Sequence, residues 1–185
     1  MQANQELQNH VKKIEQLRNE LQEQAILDPL TGLYNRRYLA EFLTHEFKRA
    51  ERENIPISLL IMDVDHFKSI NDSYGHKTGD KFLIAIADLL KNNSRGSDIA
   101  CRYGGEEFLL VLPGTDTQTA YDRAEQFRTQ CAKIHIQYET KNIGITVSAG
   151  IATYPSHTEM AEDLIHKADK ALYQSKQNGR NRVII

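Results

Sequence analysis

Cysteine is scarce in this chain: Cys101 and Cys131 are the only two among 185 residues. Two thiols cannot make the disulfide framework of a small secreted domain, and neither stands in a pair with metal-ligand spacing. Both are therefore expected as reduced core residues of a cytoplasmic protein. Long apolar runs are also missing, and the N-terminus is polar rather than signal-like. The segment is expected to make no membrane contact, although it could be the cytoplasmic part of a larger, membrane-anchored sensor. No charge of one sign predominates: 23 Lys and Arg face 25 Asp and Glu, a formal net charge of −2. That balance lacks the basic bias of proteins that bind nucleic acid polymers, without excluding a small basic pocket for a nucleotide. There is no internal repeat, and no low-complexity tract beyond a polar first segment.

What is present suits one domain with a short extension, with 40% hydrophobic residues to build a core. Residues 1–27 are rich in Gln, Asn, Glu and Lys. They carry Leu7, Ile14 and Leu21 at seven-residue spacing, with Leu17 between and polar His10 and Gln24 at the other inner positions. This heptad-like seam reads as a signalling or dimerisation helix of coiled-coil type, or as a solvated helix docked on the domain edge. Residues 28–185 form the main domain. Asp28-Pro29 interrupts the helix and Thr31-Gly32 makes a turn. An amphipathic helix follows over residues 35–54, then a continuous apolar run over 57–62 that suits a buried central strand. Helices are expected over 79–93, 117–134 and 160–177, and strands over 99–103, 107–112, 143–153 and 182–185. The alternation argues for a single sheet with helices packed on it.

The apolar strand ends in Asp63-Val64-Asp65, followed by His66-Phe67-Lys68. Ligands in open sheets gather at strand ends, so carboxylates there are natural metal ligands, although one of the two could equally cap a turn. Gly104-Gly105 lies between two strand-like runs and precedes Glu106 and Glu107. The pair of glycines signals a hairpin of type I′, and their missing side chains would let a bulky ligand approach acids at the tip. Between these pieces a polar, glycine-containing loop over 71–80 leads into a helix. Its Asn71 and Asp80 could bond the edge of a purine, and a carboxylate that accepts from N1–H and N2–H₂ favours guanine; singly, both residues are commoner as turn and cap residues.

Three ordered stretches carry a resemblance. Asp28, Leu30, Thr31, Gly32, Leu33, Asn35, Arg36 and Arg37 form the first. Asp63, Asp65, Phe67, Lys68, Asn71, Asp72, Gly75, His76, Gly79 and Asp80 form the second, and Arg102 to Phe108, with the loop Gly-Gly-Glu-Glu-Phe, the third. In order and spacing they resemble the signatures of GGDEF diguanylate cyclases over residues 25–185. The resemblance implies an α+β fold, with a central five-stranded, mostly antiparallel sheet flanked by helices, like nucleotidyl cyclase domains and polymerase palms.

The resemblance also implies an activity: condensation of two GTP into cyclic di-GMP and two pyrophosphates, dependent on Mg²⁺ with Mn²⁺ as a substitute. Asp63, the Val64 carbonyl, Glu106 and Glu107 would hold the metal. Glu106 would be the candidate base, with Glu107 close by and Lys68 stabilising charge on the phosphates. Phe67 would offer backbone N–H groups at a phosphate-cradling turn. Asn71 and Asp80 would bind guanine, with His76 on the substrate side and Gly104 and Gly105 clearing space. Lys176 and Arg180, at i, i+4 and so expected on one helix face, would reach the terminal phosphates. Arg95-Gly-Ser-Asp98, in register before the Gly-Gly, would bind cyclic di-GMP as an inhibitory product, with Arg49 as a further clamp. Asp28, Asn35 and Arg36 would fix the junction with the leading helix. Because each subunit would carry one GTP, a homodimer would be needed to close a two-fold symmetric product.

Overall fold

The structure, a computed structural model, describes residues 26–185 together with residues 10 and 12–14. The heptad-like segment lies almost wholly outside the described residues. Within the domain, the apolar run becomes β2 (Ile57–Val64), buried along its whole length. It can be apolar on both sides because helices cover both faces of the sheet. β2 is paired antiparallel with β4 (Glu107–Pro113) and β7 (Val147–Tyr154), and β4 in turn with β3 (Ile99–Arg102).

The sheet has six strands in the order β1-β3-β4-β2-β7-β8 rather than five. The extra edge comes from β1 (Tyr34–Asn35), which runs parallel to β3; β8 (Val183–Ile184) pairs parallel with β7 at the other edge. Strands this short have no periodicity to read. A separate hairpin of β5 (His135–Tyr138) and β6 (Lys141–Gly144) also breaks up the single strand expected over 143–153.

Two apolar layers hold the sheet. On one face Leu60, Met62, Val64, Phe108 and Leu110 meet Phe67 and Ile70 of α2 (Phe67–Tyr74), Phe82, Ile86 and Leu90 of α3 (His76–Asn93), and Ala124 and Phe127 of α4 (Thr117–Cys131). On the other, Leu59, Ile61, Leu109 and Val111 meet Leu39, Leu43 and Phe47 of α1 (Arg36–Glu53), and Leu164, Ala168 and Leu172 of α5 (Ala161–Gln177). Asn35 caps α1 by accepting from the Tyr38 N–H at 3.0 Å.

The expected polar loop over 71–80 is a correction. It is two helices, α2 and the start of α3, broken at Gly75 with φ +80°. Buried Phe67 and Ile70 supply the apolar side that holds α2 in place, and the glycine takes the left-handed backbone that the break needs. The Gly-Gly hairpin forms, but not as a type I′ turn: neither glycine is among the positive-φ residues. Four residues, Tyr103 to Glu106, separate the strands, and the Tyr103 and Gly104 N–H groups both donate to the Glu107 carbonyl (2.8 and 3.3 Å). A loop of that length closes without the two left-handed residues that a two-residue turn demands.

Candidate active site

At the end of β2 two strand registers converge. Asp63 lies opposite Glu107 of β4 and Ser148 of β7, and the Val64 N–H donates to the Glu106 carbonyl at 3.2 Å. Asp63 shares the odd-numbered face of β2 with Leu59 and Ile61, the face that α5 covers. The close approach of α5 is set by Gly150. A Cβ there would stand 2.1 Å from the Leu172 nitrogen and 2.2 Å from the Ala168 carbonyl, so the helix backbone lies directly on the strand.

Gly150 pairs with Ile61, two residues before Asp63. Two strand residues advance about 6.6 Å, and one more helical turn from Leu172 advances about 6 Å. That carries Lys176 to Asp63, and its Nζ sits 2.8 Å from Oδ2.

The electrostatics are those of a carboxylate cluster short of positive charge. Burial pushes the Asp63 carboxyl up, Lys176 pulls it back, and the neighbouring Asp65 raises it further. Glu106 is likewise raised, by burial first and then by the charge on Asp63. The charge on Asp63 thus acts on Glu106, whose backbone carbonyl is bonded to the N–H of the residue after Asp63. Glu107 leans back over the glycines: a Cβ on Gly104 would meet its Oε2 at 2.6 Å, whereas Gly105 has open space beside it.

The donor set fits a hard divalent cation. It offers two part-buried carboxylates, a nearby strand-end carbonyl at Val64, and an ammonium already neutralising one of the carboxylates. Mg²⁺ is commonly held by one or two carboxylates, with other oxygens completing its shell; among the described residues no group of three or more His, Cys, Asp or Glu side chains could hold a metal ion.

Around this centre the remaining residues are distributed unevenly. Lys68 is exposed at the start of α2, and Phe67 is buried at its first position after a left-handed His66 (φ +56°). The first-turn N–H groups of α2 thus lie just past the carboxylate-bearing strand. Asn71 packs against α3 so closely that a Cβ on Gly79 would fall 2.1 Å from its Oδ1, a buried acceptor with no hydrogen-bond partner. Asp80 follows half-buried, and His76 is exposed at the head of α3. Arg180 is not on the helix with Lys176: α5 ends at Gln177, and Arg180 sits beyond it with φ +60°. It still reaches the centre electrostatically, lowering Asp63.

Asp65 is spent on structure: its carboxylate accepts from Thr146 Oγ1, Ser148 Oγ and the Asn181 N–H. Sequence reasoning missed those partners, although polar Ser148 inside an apolar strand was a signal.

A second constellation lies away from this centre. The Asp98 side chain is 1% exposed, and one of its oxygens accepts from the Arg95 N–H and from Arg123 Nη2, both at 2.7 Å. Arg95 itself is exposed and borders a cleft of about 360 Å³ with Lys91, Ser94 and Tyr34. Arg123 was not foreseen, and a lone cation on α4 gives no sequence signal. Arg49 pairs with Glu46 and Glu53 along the surface of α1.

At the domain entrance, Asp28 Oδ1 accepts from the Thr31 N–H and hydroxyl and pairs with Arg102 at 3.1 Å, while Arg102 also donates to the Gly105 carbonyl at 2.7 Å. Asn35 donates to the Leu27 carbonyl, and the Arg36 guanidinium lies 4.6 Å over the Tyr103 ring.

A helix-covered, mostly antiparallel sheet with carboxylates on adjoining strand ends beside a glycine-cleared hairpin defines a nucleotidyl cyclase-like class. The family model described as "Diguanylate cyclase, GGDEF domain" matches residues 25–182, and the chain belongs to that family. It is 38% identical to Diguanylate cyclase A of Treponema denticola over 170 residues, 90% of this chain and 46% of that protein. It is 39% identical to Response regulator PleD of Caulobacter vibrioides over 173 residues, 91% of this chain and 38% of that protein. The chain thus spans less than half the length of these relatives.

Among solved structures, the coiled coil and GGDEF domain of DgcB from Caulobacter crescentus in complex with c-di-GMP superposes with a TM-score of 0.86 at 31% identity, covering 100% of this chain and 99% of that one. The active GGEEF domain of a diguanylate cyclase from Vibrio cholerae gives 0.76 at 38% identity, covering 82% and 96%. No helix among the described residues is long and apolar enough to cross a membrane.

Proposed function

We propose that this chain is the catalytic domain of a diguanylate cyclase that condenses two GTP into cyclic di-GMP in a homodimer and is inhibited by its product. The observation that carries the reading is buried Asp63 at the end of β2, ion-paired with Lys176, next to half-buried Glu106 in the hairpin loop that leads into the adjoining strand β4. Asp63, Glu106 and the Val64 carbonyl would hold Mg²⁺, with Glu107 at its margin. The metal would supply Lewis acidity toward the phosphate oxygens and lower the pKa of the attacking hydroxyl.

In each half-reaction the 3′-oxygen of one GTP forms a bond to the α-phosphorus of the other, the bond to pyrophosphate breaks, and the hydroxyl proton is lost. Glu106, its carboxyl raised by burial and by Asp63, is the candidate acceptor of that proton. Lys68 and the first-turn N–H groups of α2, including that of Phe67, face the phosphate charge; Lys176 and Arg180 take the terminal phosphates. Asn71, with its unpartnered buried carbonyl oxygen, and Asp80 read the guanine, and His76 borders the substrate. Gly104 and Gly105 leave the room in which the two half-sites meet.

For product inhibition the geometry favours a division of labour. Exposed Arg95 addresses the O6 and N7 edge of a guanine, and Asp98, buried between Arg123 and the Arg95 N–H, fixes the loop that presents it. Arg49 of a partner subunit would have to leave Glu46 and Glu53 to add a clamp.

The test is incubation with GTP and Mg²⁺ followed by analysis for cyclic di-GMP and pyrophosphate. Wild type should form both, and Glu106→Ala with Glu107→Ala should form neither while remaining folded. GTP binding without turnover in the dimeric wild-type protein would instead mark a non-catalytic member.

A further inference from the structure

Asp63 and Asp65 look equivalent in sequence, two acids at one strand end, but their surroundings differ. Asp63 is buried with one ion pair, to Lys176. Asp65 is 4% exposed and accepts three hydrogen bonds: Oδ1 accepts from Ser148 Oγ at 2.7 Å, and Oδ2 accepts from Thr146 Oγ1 at 2.7 Å and from the Asn181 N–H at 3.1 Å. A buried carboxylate with most of its lone pairs engaged by the protein has less to offer a cation.

What it holds is unusual backbone. Gly179, Arg180 and Asn181 follow one another at φ +105°, +60° and +46°. Two of the three are not glycine, and such a run persists only where its surroundings overdetermine it. Two N–H groups of the run are anchored in different places: that of Arg180 donates to the Ser175 carbonyl at 3.0 Å, back onto α5, and that of Asn181 donates to Asp65, across to the strand end.

Other bonds brace the same turn. The Asn181 N–H also donates to Ser148 Oγ (3.1 Å), Ser175 Oγ donates to the Arg182 carbonyl (2.8 Å), and Arg128 Nη1 donates to Asn181 Oδ1 (2.8 Å). The turn follows directly on the end of α5 that carries Lys176, and it carries Arg180 itself.

We infer that Asp65 is a positioning residue of the triphosphate site. Its carboxylate ties the turn over residues 178–182 to the strand end, and so sets Arg180 and the last turn of α5 over Asp63. This rests on the assignment of Lys176 and Arg180 to the terminal phosphates. The work is divided between neighbouring acids: Asp63 faces the cation, and Asp65 aims the cations that face the phosphates.

The test compares binding of 3′-deoxy-GTP, which has no attacking hydroxyl, with 3′-deoxy-GMP, which has no terminal phosphates, and adds a titration with Mn²⁺ alone. Asp65→Asn keeps the shape but removes the charge that receives the Asn181 N–H. It should cut the preference for triphosphate over monophosphate about tenfold or more, leaving 3′-deoxy-GMP and Mn²⁺ affinity within about threefold of wild type. Should Asp65→Asn fail to fold, Ser148→Ala removes one donor to Asp65 and one acceptor for Asn181, and should lower the same preference in the same direction.

An unchanged preference, an equal loss for both nucleotides, or loss of Mn²⁺ binding alone would overturn the inference. Lys176→Met and Arg180→Met run in parallel. If they lose the preference and Asp65→Asn keeps it, positioning by Asp65 is wrong and the phosphate assignment stands; if they too keep it, the phosphate assignment itself fails.

Discussion

Replacing Lys176 by Met should strengthen the binding of a divalent cation while weakening that of GTP. In the ligand-free protein Lys176 Nζ sits 2.8 Å from Asp63 Oδ2, with the side chains 32% and 11% exposed. At that separation and an effective dielectric near 20, the gross attraction is roughly 6 kcal/mol. Desolvation of both ions and ordering of the long lysine chain offset most of it, leaving about 1–2 kcal/mol that an incoming cation must displace. Removing the ammonium abolishes this competition and also the like-charge repulsion, and both effects have the same sign. Affinity for Mn²⁺ without nucleotide should therefore rise about 5- to 30-fold. GTP affinity should fall, because the same ammonium would otherwise meet the terminal phosphates. Calorimetric titration at pH 8 of wild type, Lys176→Met and the pair-restoring Lys176→Arg reads both quantities. Unchanged or weaker Mn²⁺ binding in Lys176→Met would refute the view of this lysine as a resident counter-cation.

Three further outcomes follow from the same structure. Glu106→Gln should raise the melting temperature of the ligand-free protein by about 1–3 °C. Its raised carboxyl means that ionised Glu106 costs stability as pH rises past its ordinary value near 4.5, so calorimetric scans of wild type should gain stability as pH falls from 7 toward 5, and those of the variant should gain less. Asp28→Ala should cost about 2 kcal/mol, roughly 4–8 °C, through loss of the Thr31 bonds and the Arg102 pair. Burial pushes this carboxyl up, but the bonds from Thr31 and Arg102 outweigh it and leave it lowered. The stability it adds is thus present above pH 3.8 and is lost as pH falls through its lower folded value, so the difference between wild type and variant should shrink in acid denaturation. Burial pushes the thiols of Cys101 and Cys131 up to about 12, so neither should react with a disulfide reagent at pH 8 until the protein is unfolded.

What could be read from residues alone was whatever periodicity and motif spacing encode. The apolar run at 57–62, the helices expected over 35–54 and 117–134, and the Gly-Gly hairpin are local patterns; the structure has the strand at Ile57–Val64, helices at Arg36–Glu53 and Thr117–Cys131, and the hairpin between β3 and β4. The failures have tertiary causes. β1 is a two-residue strand that exists only because the neighbouring edge of β3 offers hydrogen bonds, whereas the strand expected at the C-terminus is present as β8. α2 was read as loop because Asn71, Asp72, Ser73 and Gly75 favour turns, and burial of Phe67 and Ile70 overrides that preference. The extension of α5 to Arg180 followed from i, i+4 spacing, which cannot see that residues 179–181 are drawn into a left-handed run by an acid 116 residues earlier in the chain. Nor could the sequence show that Asp98 pairs with Arg123, 25 residues further on.

Several departures from local rules gather around the ends of β2 and β7. They are the left-handed residues His66, Arg180 and Asn181, the buried acids Asp63 and Asp65, and, on the helices that follow β2, the orphaned acceptor on Asn71 with Gly79 packed against it. Others lie elsewhere, at left-handed Asn54 and Glu139 and at buried side-chain atoms of Asp98 and Arg123, while the two apolar layers follow strand alternation and helical faces. A domain tolerates strain and uncompensated charge where a ligand repays them, and the ligand must then supply what the cluster lacks. Under the proposed function the nucleotide and its cation would answer these groups together: a cation for Asp63 and Glu106, phosphates for Lys68, Arg180 and the first-turn N–H groups of α2, and purine N–H donors for Asn71. Lys176, already paired with Asp63, would exchange that partner for the phosphates.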